Sequence, residues 1–330
     1  MKRNRRTILL FAAFLLSVAL VAAVLFNLDR IMSVINGTPD DGAGDRTDTL
    51  DTVYIDGKAY RPKGTVKNYL IVGIDQFGAV ESNGYAQADF LLVLSFDSSD
   101  KSYTVMSINR DTMTEILVYD AFSGKSEKTV AQIALSHNDG TYTEISNTRK
   151  CKNTAKAVSD LLYGIDFKNY LSMTMDAVSI IVDHIGGVEV YVDCDMTSVD
   201  ERLVAGQTVM LDGELALKFI GARSGVSDET NVSRMERQMA FFDAFAEKAK
   251  SVEIDEELLL QCFEDVENHI VTNADDGIFR EITEKLSTYE KKKTIIPPGE
   301  AKVGQKYMEF YVDEEELKDI VIDVFYKKAH

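Results

Sequence analysis

ADFLLVLSFDSSDKSYTVMSINRDT, residues 88–112, decides how this chain folds. Asp89–Phe96 and Tyr103–Ile108 are apolar runs of strand length. Asp97–Ser102, DSSDKS, joins them as a polar turn of hairpin character. Just upstream, Tyr69–Ile74 is a third run of the same kind. The first leads into Asp75, the second begins at Asp89, and the third leads into Asn109-Arg110-Asp111. Antiparallel pairing of the first run with the second, and of the second with the third, places all of these on one edge of a sheet.

Two carboxylates and an arginine gathered there can hold a divalent cation and a phosphate together. Asp75 and Asp89 supply oxygens to the metal, and the Arg110 guanidinium forks onto the phosphate. The alternative is an ordinary ion-pair network around Arg110, or aspartates that merely cap turns. A second polar cluster lies in ARSGVSDETNVSRMERQ, residues 222–238. Arg223 follows a short helical segment, and Arg234, Arg237 and Gln238 occupy the first turns of the next helix on one side. Cations at a helix N-terminus oppose its dipole, which makes sense where an anion docks between them. Surface pairing with Glu236, Asp228 or Glu229 is the alternative.

The rest of the chain alternates strands and helices. Val53–Lys63, with Asp56-Gly57 at its centre, has the pattern of a small hairpin. Helices are expected over Thr148–Tyr163, Ala177–Ile185, Asp212–Ala222, Ser233–Lys250 (with Ser233 and Glu236 in capping-box spacing), Asp255–Ile270, Asp275–Tyr289 and Asp313–Tyr326. Met235, Met239, Phe242, Phe245, Ala246 and Ala249 form a helical stripe that reads as core packing. Strands are expected over Phe167–Met175, Val188–Val192 and Thr294–Ile296. The order argues for one α/β domain of mixed α+β character, 68–330, with a central mixed sheet flanked by helices.

The N-terminal part has a different composition. Residues 1–6, MKRNRR, form a basic stub, and Thr7–Phe26 then runs twenty residues without a charge. That length matches a hydrocarbon core of roughly 30 Å, so a single transmembrane helix with a cytoplasmic N-terminus is expected. A cleaved signal peptide is the rival, although its apolar core is usually about 7–15 residues. Residues 27–67 read as an extracellular tether carrying the small hairpin. Beyond residue 30 the chain holds 31 basic and 53 acidic side chains, a net of −22, which excludes a nucleic-acid-binding surface. Cys151, Cys194 and Cys262 show no metal-ligand spacing, and at most one internal pair can form among them.

Taken in order, NYLIVGID, ADFLLVLSFD, SINRDT, LLYGIDFKNYLSMTMDAVSIIVDHIGGVEVYV, LDGELALKFIGAR, NVSRMERQ and the closing IIPPGE…YVDEEELKDIVIDVFY resemble the LytR–CpsA–Psr family. The resemblance implies a membrane-anchored phosphotransferase on the outer face of Gram-positive-type cells. Such an enzyme moves a glycopolymer from a polyprenyl-pyrophosphate carrier to peptidoglycan, and its mixed sheet and helices enclose an apolar groove for the prenyl chain. By position, Asp75 and Asp89 match the family's site for magnesium (or manganese) and pyrophosphate, and Arg110 and Asp111 match its Arg-Asp pair. Arg223 matches the second arginine of Arg-x-Arg, and Arg234, Arg237 and Gln238 match Arg-x-x-Arg-Gln. Four positions depart from the pattern: Gln87 for a frequent arginine, Gln132 for a frequent lysine, Gly221 for the first arginine of Arg-x-Arg, and Asn231 for a common aspartate. Fewer cations surround the pyrophosphate as a result, and one candidate base is gone; Asp228 lies near enough in sequence to replace it. A non-catalytic extracellular binder of lipid-linked polymer or peptidoglycan, and a plain extracellular scaffold, are the rival functions.

Overall fold

The computed structural model describes residues 52–79, 86–119, 125–137, 147–251, 261–262 and 264–329. The stub, the apolar run Thr7–Phe26 and most of the tether lie outside the described residues, as does much of the helix expected over Asp255–Ile270. Among the described residues no helix is long and apolar enough to cross a membrane.

A six-stranded mixed sheet organises the body. Its order is Ile270–Thr272, Asn169–Thr174, Val66–Ile74, Ala88–Asp97, Ser102–Ile108, Glu290–Ile295. The three strands read from the sequence sit in the middle and pair antiparallel, as expected. Asn169–Thr174 and Glu290–Ile295 join them in parallel, one on each side. Both faces of the sheet are covered at its centre, which explains why the three central strands are nearly continuous apolar runs; the edge strand Glu290–Ile295 is charged and mostly exposed. On one face Leu70, Val72, Val93 and Met106 pack against the helices Asn147–Leu161 and Glu314–Phe325. On the other, Tyr69, Leu92, Leu94 and Phe96 meet the helices Asn231–Ser251 and Asp276–Thr288. A third apolar cluster joins the helices Met175–His184 and Gly213–Gly221 to a two-stranded ribbon, Val188–Tyr191 with Thr208–Leu211.

The termini of the helices follow from their capping residues. Asp212, Asp275 and Asp313 each accept backbone N–H bonds at the start of their helices. The helix expected from Ser233 begins two residues earlier, at Asn231. Thr230 Oγ1, not Ser233, caps it by accepting from the Ser233 N–H at 3.2 Å. Ile270, expected as the last residue of a helix, instead opens the edge strand Ile270–Thr272, in keeping with its β-branched residues.

The domain begins earlier than residue 68. Val53–Ile55 and Lys58–Pro62 form the expected hairpin, with Asp56 and Gly57 both at positive φ (50° and 71°). Tyr326–Lys328 adds a third strand to it. Ile55 and Tyr60 are buried in the main core. The hairpin therefore belongs to the body and is not part of a tether. Two further hairpins, Met113–Tyr119 with Ser126–Gln132 and Gly299–Val303 with Met308–Val312, pair a partly buried apolar strand with a mostly exposed one, Ser126–Gln132 and Gly299–Val303, that shows no strand pattern in the sequence.

One glycine places the central strands in register. The pairing of Val66–Ile74 with Ala88–Asp97 shifts between Gly73 and Ile74, just before Asp75. A Cβ on Gly73 would lie 2.9 Å from the Phe90 Cβ, closer than packed carbons allow. Gly73→Ala should force these strands apart and cost about 1–3 kcal/mol, measured by urea denaturation.

Candidate functional site

Backbone register brings the first cluster together. Asp75 donates its N–H to the Gln87 carbonyl at 3.0 Å, so the strand end that carries Asp75 lies against the segment leading to Asp89. Arg110, at the end of the neighbouring strand, donates from Nη1 to Asp89 Oδ2 and from Nη2 to Gln87 Oε1 (2.6 Å). Its Nε lies 3.6 Å from Asp111 Oδ1. Asp111 is buried and accepts from Gln132 Nε2 at 2.9 Å; the same amide nitrogen donates to the Met308 carbonyl at 2.7 Å.

The second cluster converges on the same carboxylate. Arg234 is 8% exposed, and its Nη1 lies 3.8 Å from Asp89 Oδ2. Surface pairing is therefore not its role. Arg223 sits near enough to repel Arg234, and donates from Nε to the Glu229 carbonyl at 3.3 Å. Gln238 Nε2 reaches the Ile220 carbonyl at 3.2 Å. Arg237 is the exception. It is buried, and its guanidinium donates to the carbonyls of Phe219, Ala222 and Ser233. Those are mostly carbonyls at the C-terminal end of the helix Gly213–Gly221, where a cation complements the dipole. Arg237 thus joins two helices and does not face the cavity described below. Asp228 accepts from Thr230 and Ser233, and these bonds hold its carboxyl down at about 2. At that value it is a poor base.

A cavity of about 430 Å³ opens beside the charged groups. Asp75, Asp89 and Arg234 are the charged residues of its lining, and Gln238 and Gly221 stand with them. Most of the rest is apolar: Tyr69, Ile71 and Leu94 from the sheet, with Val178, Phe242 and Ile282 among those facing them from three helices; Asn169, Thr174 and Thr272 are polar. The stripe read as core packing is thereby divided. Met235 and Met239 are buried, whereas Phe242, Phe245 and Ala246 line the cavity.

The electrostatics are strained in a useful direction. Burial pushes the Asp89 carboxyl above its usual value, Arg110 and Arg234 pull it partly back, and Asp75 raises it again. Burial likewise pushes Arg234 down. Asp89 Oδ1, Arg110 Nε and Arg234 Nε are all buried without a hydrogen-bond partner. Such orphan groups are costly unless a ligand meets them. Among the described residues no group of three or more His, Cys, Asp or Glu side chains could cage a metal. Two carboxylates with a free oxygen do fit magnesium or manganese, which are commonly held by one or two carboxylates together with substrate phosphates.

The chain matches the LytR_cpsA_psr family over residues 40–322. It belongs to that family. Its curated relatives include the polyisoprenyl-teichoic acid–peptidoglycan teichoic acid transferase TagU of Bacillus mycoides, 28% identical over 182 residues, which are 55% of this chain and 52% of that protein. The chain thus spans about half the length of the curated relatives it matches. Among solved structures, the Lin1025 protein of Listeria innocua superposes with a TM-score of 0.57 at 21% identity, covering 79% of this chain and 97% of that one. The family protein TagT of Bacillus subtilis, solved with bound octaprenyl pyrophosphate lipid, gives 0.56 at 18% identity, covering 79% and 89%. At these identities the two structures establish a shared fold.

Three departures from the family pattern have structural partners. Gln87 supports Arg110, Gln132 supports Asp111, and Asn231 donates to Asn109 Oδ1 (2.7 Å) while accepting from Arg234 (2.6 Å). Gly221 lines the cavity, and a Cβ there would meet nothing within 4 Å. Asn109, passed over in the sequence reading, accepts from the Asp111 N–H at 3.0 Å; an asparagine two residues before a charged turn residue is the signal that could have found it.

Removing Arg110 should expose the cost of burying Asp89. Arg110→Ala raises the Asp89 carboxyl further, so the folded state is penalised wherever that group is ionised. We expect a loss of about 2 kcal/mol at neutral pH, shrinking as pH falls through the Asp89 value and the carboxyl takes up a proton. Urea denaturation across that pH range measures it.

Proposed function

We propose that the protein is a phosphotransferase that moves a glycopolymer from a polyprenyl-pyrophosphate carrier onto peptidoglycan. One observation carries the reading: a long apolar cavity whose charged residues are gathered beside two partly unsatisfied arginines. A ligand with a hydrocarbon tail and a diphosphate head has that shape and polarity. The TagT structure with octaprenyl pyrophosphate and the transferase name of TagU support the same choice of ligand and reaction. A tail in the cavity would leave the diphosphate beside Asp89, Arg110 and Arg234. We further propose that Thr7–Phe26 anchors the chain in the cell membrane with the folded body outside, confining enzyme and lipid to one surface.

Phosphoryl transfer depends mainly on positioning and on neutralising charge as the bond to the leaving phosphate lengthens. Arg110 and Arg234, both held beside Asp89, would supply positive charge to the phosphate oxygens. Asp111 holds the Arg110 plane, and Gln132 holds Asp111 in turn. Gln238 lines the same end of the cavity. Magnesium or manganese held by Asp75 and the free Oδ1 of Asp89 would supply further neutralisation of the diphosphate. A sugar hydroxyl of the glycan acceptor attacks the phosphate nearest the polymer, and polyprenyl phosphate leaves.

A short lipid-pyrophosphate donor with a glycan acceptor and MgCl2 tests this. The wild type should transfer, and Asp75→Ala with Asp89→Ala, or Arg110→Ala, should lose at least about a hundredfold. Polymer binding that survives both substitutions, without transfer by the wild type, would show a binder instead. Val178→Glu, which places a charge in the apolar lining, should abolish use of the lipid donor yet leave inorganic pyrophosphate binding intact, because it blocks the tail and not the head.

A further inference from the structure

Asn231 opens the helix Asn231–Ser251 and is 6% exposed. Its amide faces two ways. Nδ2 donates to Asn109 Oδ1 at 2.7 Å, and Oδ1 accepts from Arg234 Nη2 at 2.6 Å. Chemistry fixes this orientation. Arg234 offers only donors, so an oxygen must face it, and Asn109 Oδ1 is held as an acceptor by the Asp111 N–H at 3.0 Å. A carboxylate of the same shape could satisfy Arg234 but could not donate to Asn109. The amide therefore joins the strand end that carries Arg110-Asp111 to the helix that carries Arg234.

Charge adds a second argument. Asp75, Asp89 and Asp111 stand around this junction, against Arg110, Arg223 and Arg234. The set is balanced before any ligand arrives. A negative charge at 231 would tip it towards repelling an anion, and only an added cation would restore the balance. A diphosphate is sensitive to that change, since it carries more than one charge into a mostly buried site.

We infer that Asn231 is a positioning residue for Arg234 whose neutral amide sets how much divalent cation the site requires to take a diphosphate. This rests on the diphosphate reading above. The probe is inorganic pyrophosphate, titrated calorimetrically into the full chain in detergent, first with chelator and then over a series of MgCl2 concentrations. Asn231→Asp should bind at least about tenfold more weakly than wild type without divalent cation, and the gap should close as MgCl2 rises. Asn231→Ala should bind about tenfold more weakly at every MgCl2 concentration, because Arg234 has lost its support. Thermal unfolding identifies any variant that fails to fold, in which case the other carries the test. Folded variants that match wild type throughout would remove the role of Asn231 and leave the diphosphate reading standing. An Asn231→Asp deficit that ignores MgCl2 would overturn the charge argument. A wild type that binds no pyrophosphate under either condition would overturn the diphosphate reading and this inference with it.

Discussion

One carboxylate stands between two guanidinium groups, and the rest of the site is arranged around it. Asp89 Oδ2 is approached by Arg110 from a neighbouring strand end and by Arg234 from a helix far along the chain. Neither arginine could be buried alone, because a desolvated cation without a partner costs several kcal/mol. Asp89 makes their burial possible and is itself pushed towards neutrality by that same burial. The three groups satisfy one another incompletely. Two Nε–H donors and one carboxylate oxygen remain without hydrogen-bond partners, a costly arrangement inside a folded body.

The sheet makes this possible by placing chemistry where its strands stop. The central strands are apolar on both faces, so their charges sit near the strand ends, and antiparallel pairing collects three such ends on one edge. The cavity runs along the same sheet, from Asp75 and Asp89 past Ile71 to Tyr69 and Leu94. The sheet would therefore contribute to reading both the polar and the apolar part of one ligand.

The central strands were legible because buried strands show as near-continuous apolar runs, and the convergence of Asp75, Asp89 and Arg110 follows from pairing alone. Other features were not legible, for identifiable reasons. Phe242 and Met239 lie on one helical stripe, and no periodicity distinguishes a side chain that fills a core from one that lines a void. Arg234 and Arg237 sit one turn apart with similar surroundings in sequence. Their different fates depend on where the helix Gly213–Gly221 ends, which only the packing reveals. The role of Gln132 depends on a carbonyl at Met308, 176 residues away. Family resemblance grouped these residues without saying which of them turn inward.

The strand Tyr326–Lys328 closes the sheet that the hairpin at Val53–Pro62 begins, and Lys63 reaches the Asp323 carbonyl across 260 residues. Nearly the whole described chain is thus enclosed between its first and last strands. Such a body has high contact order, and it cannot be completed until Tyr326–Lys328 has been synthesised. Its opening hairpin must wait, unpaired along one edge, until the closing strand is delivered.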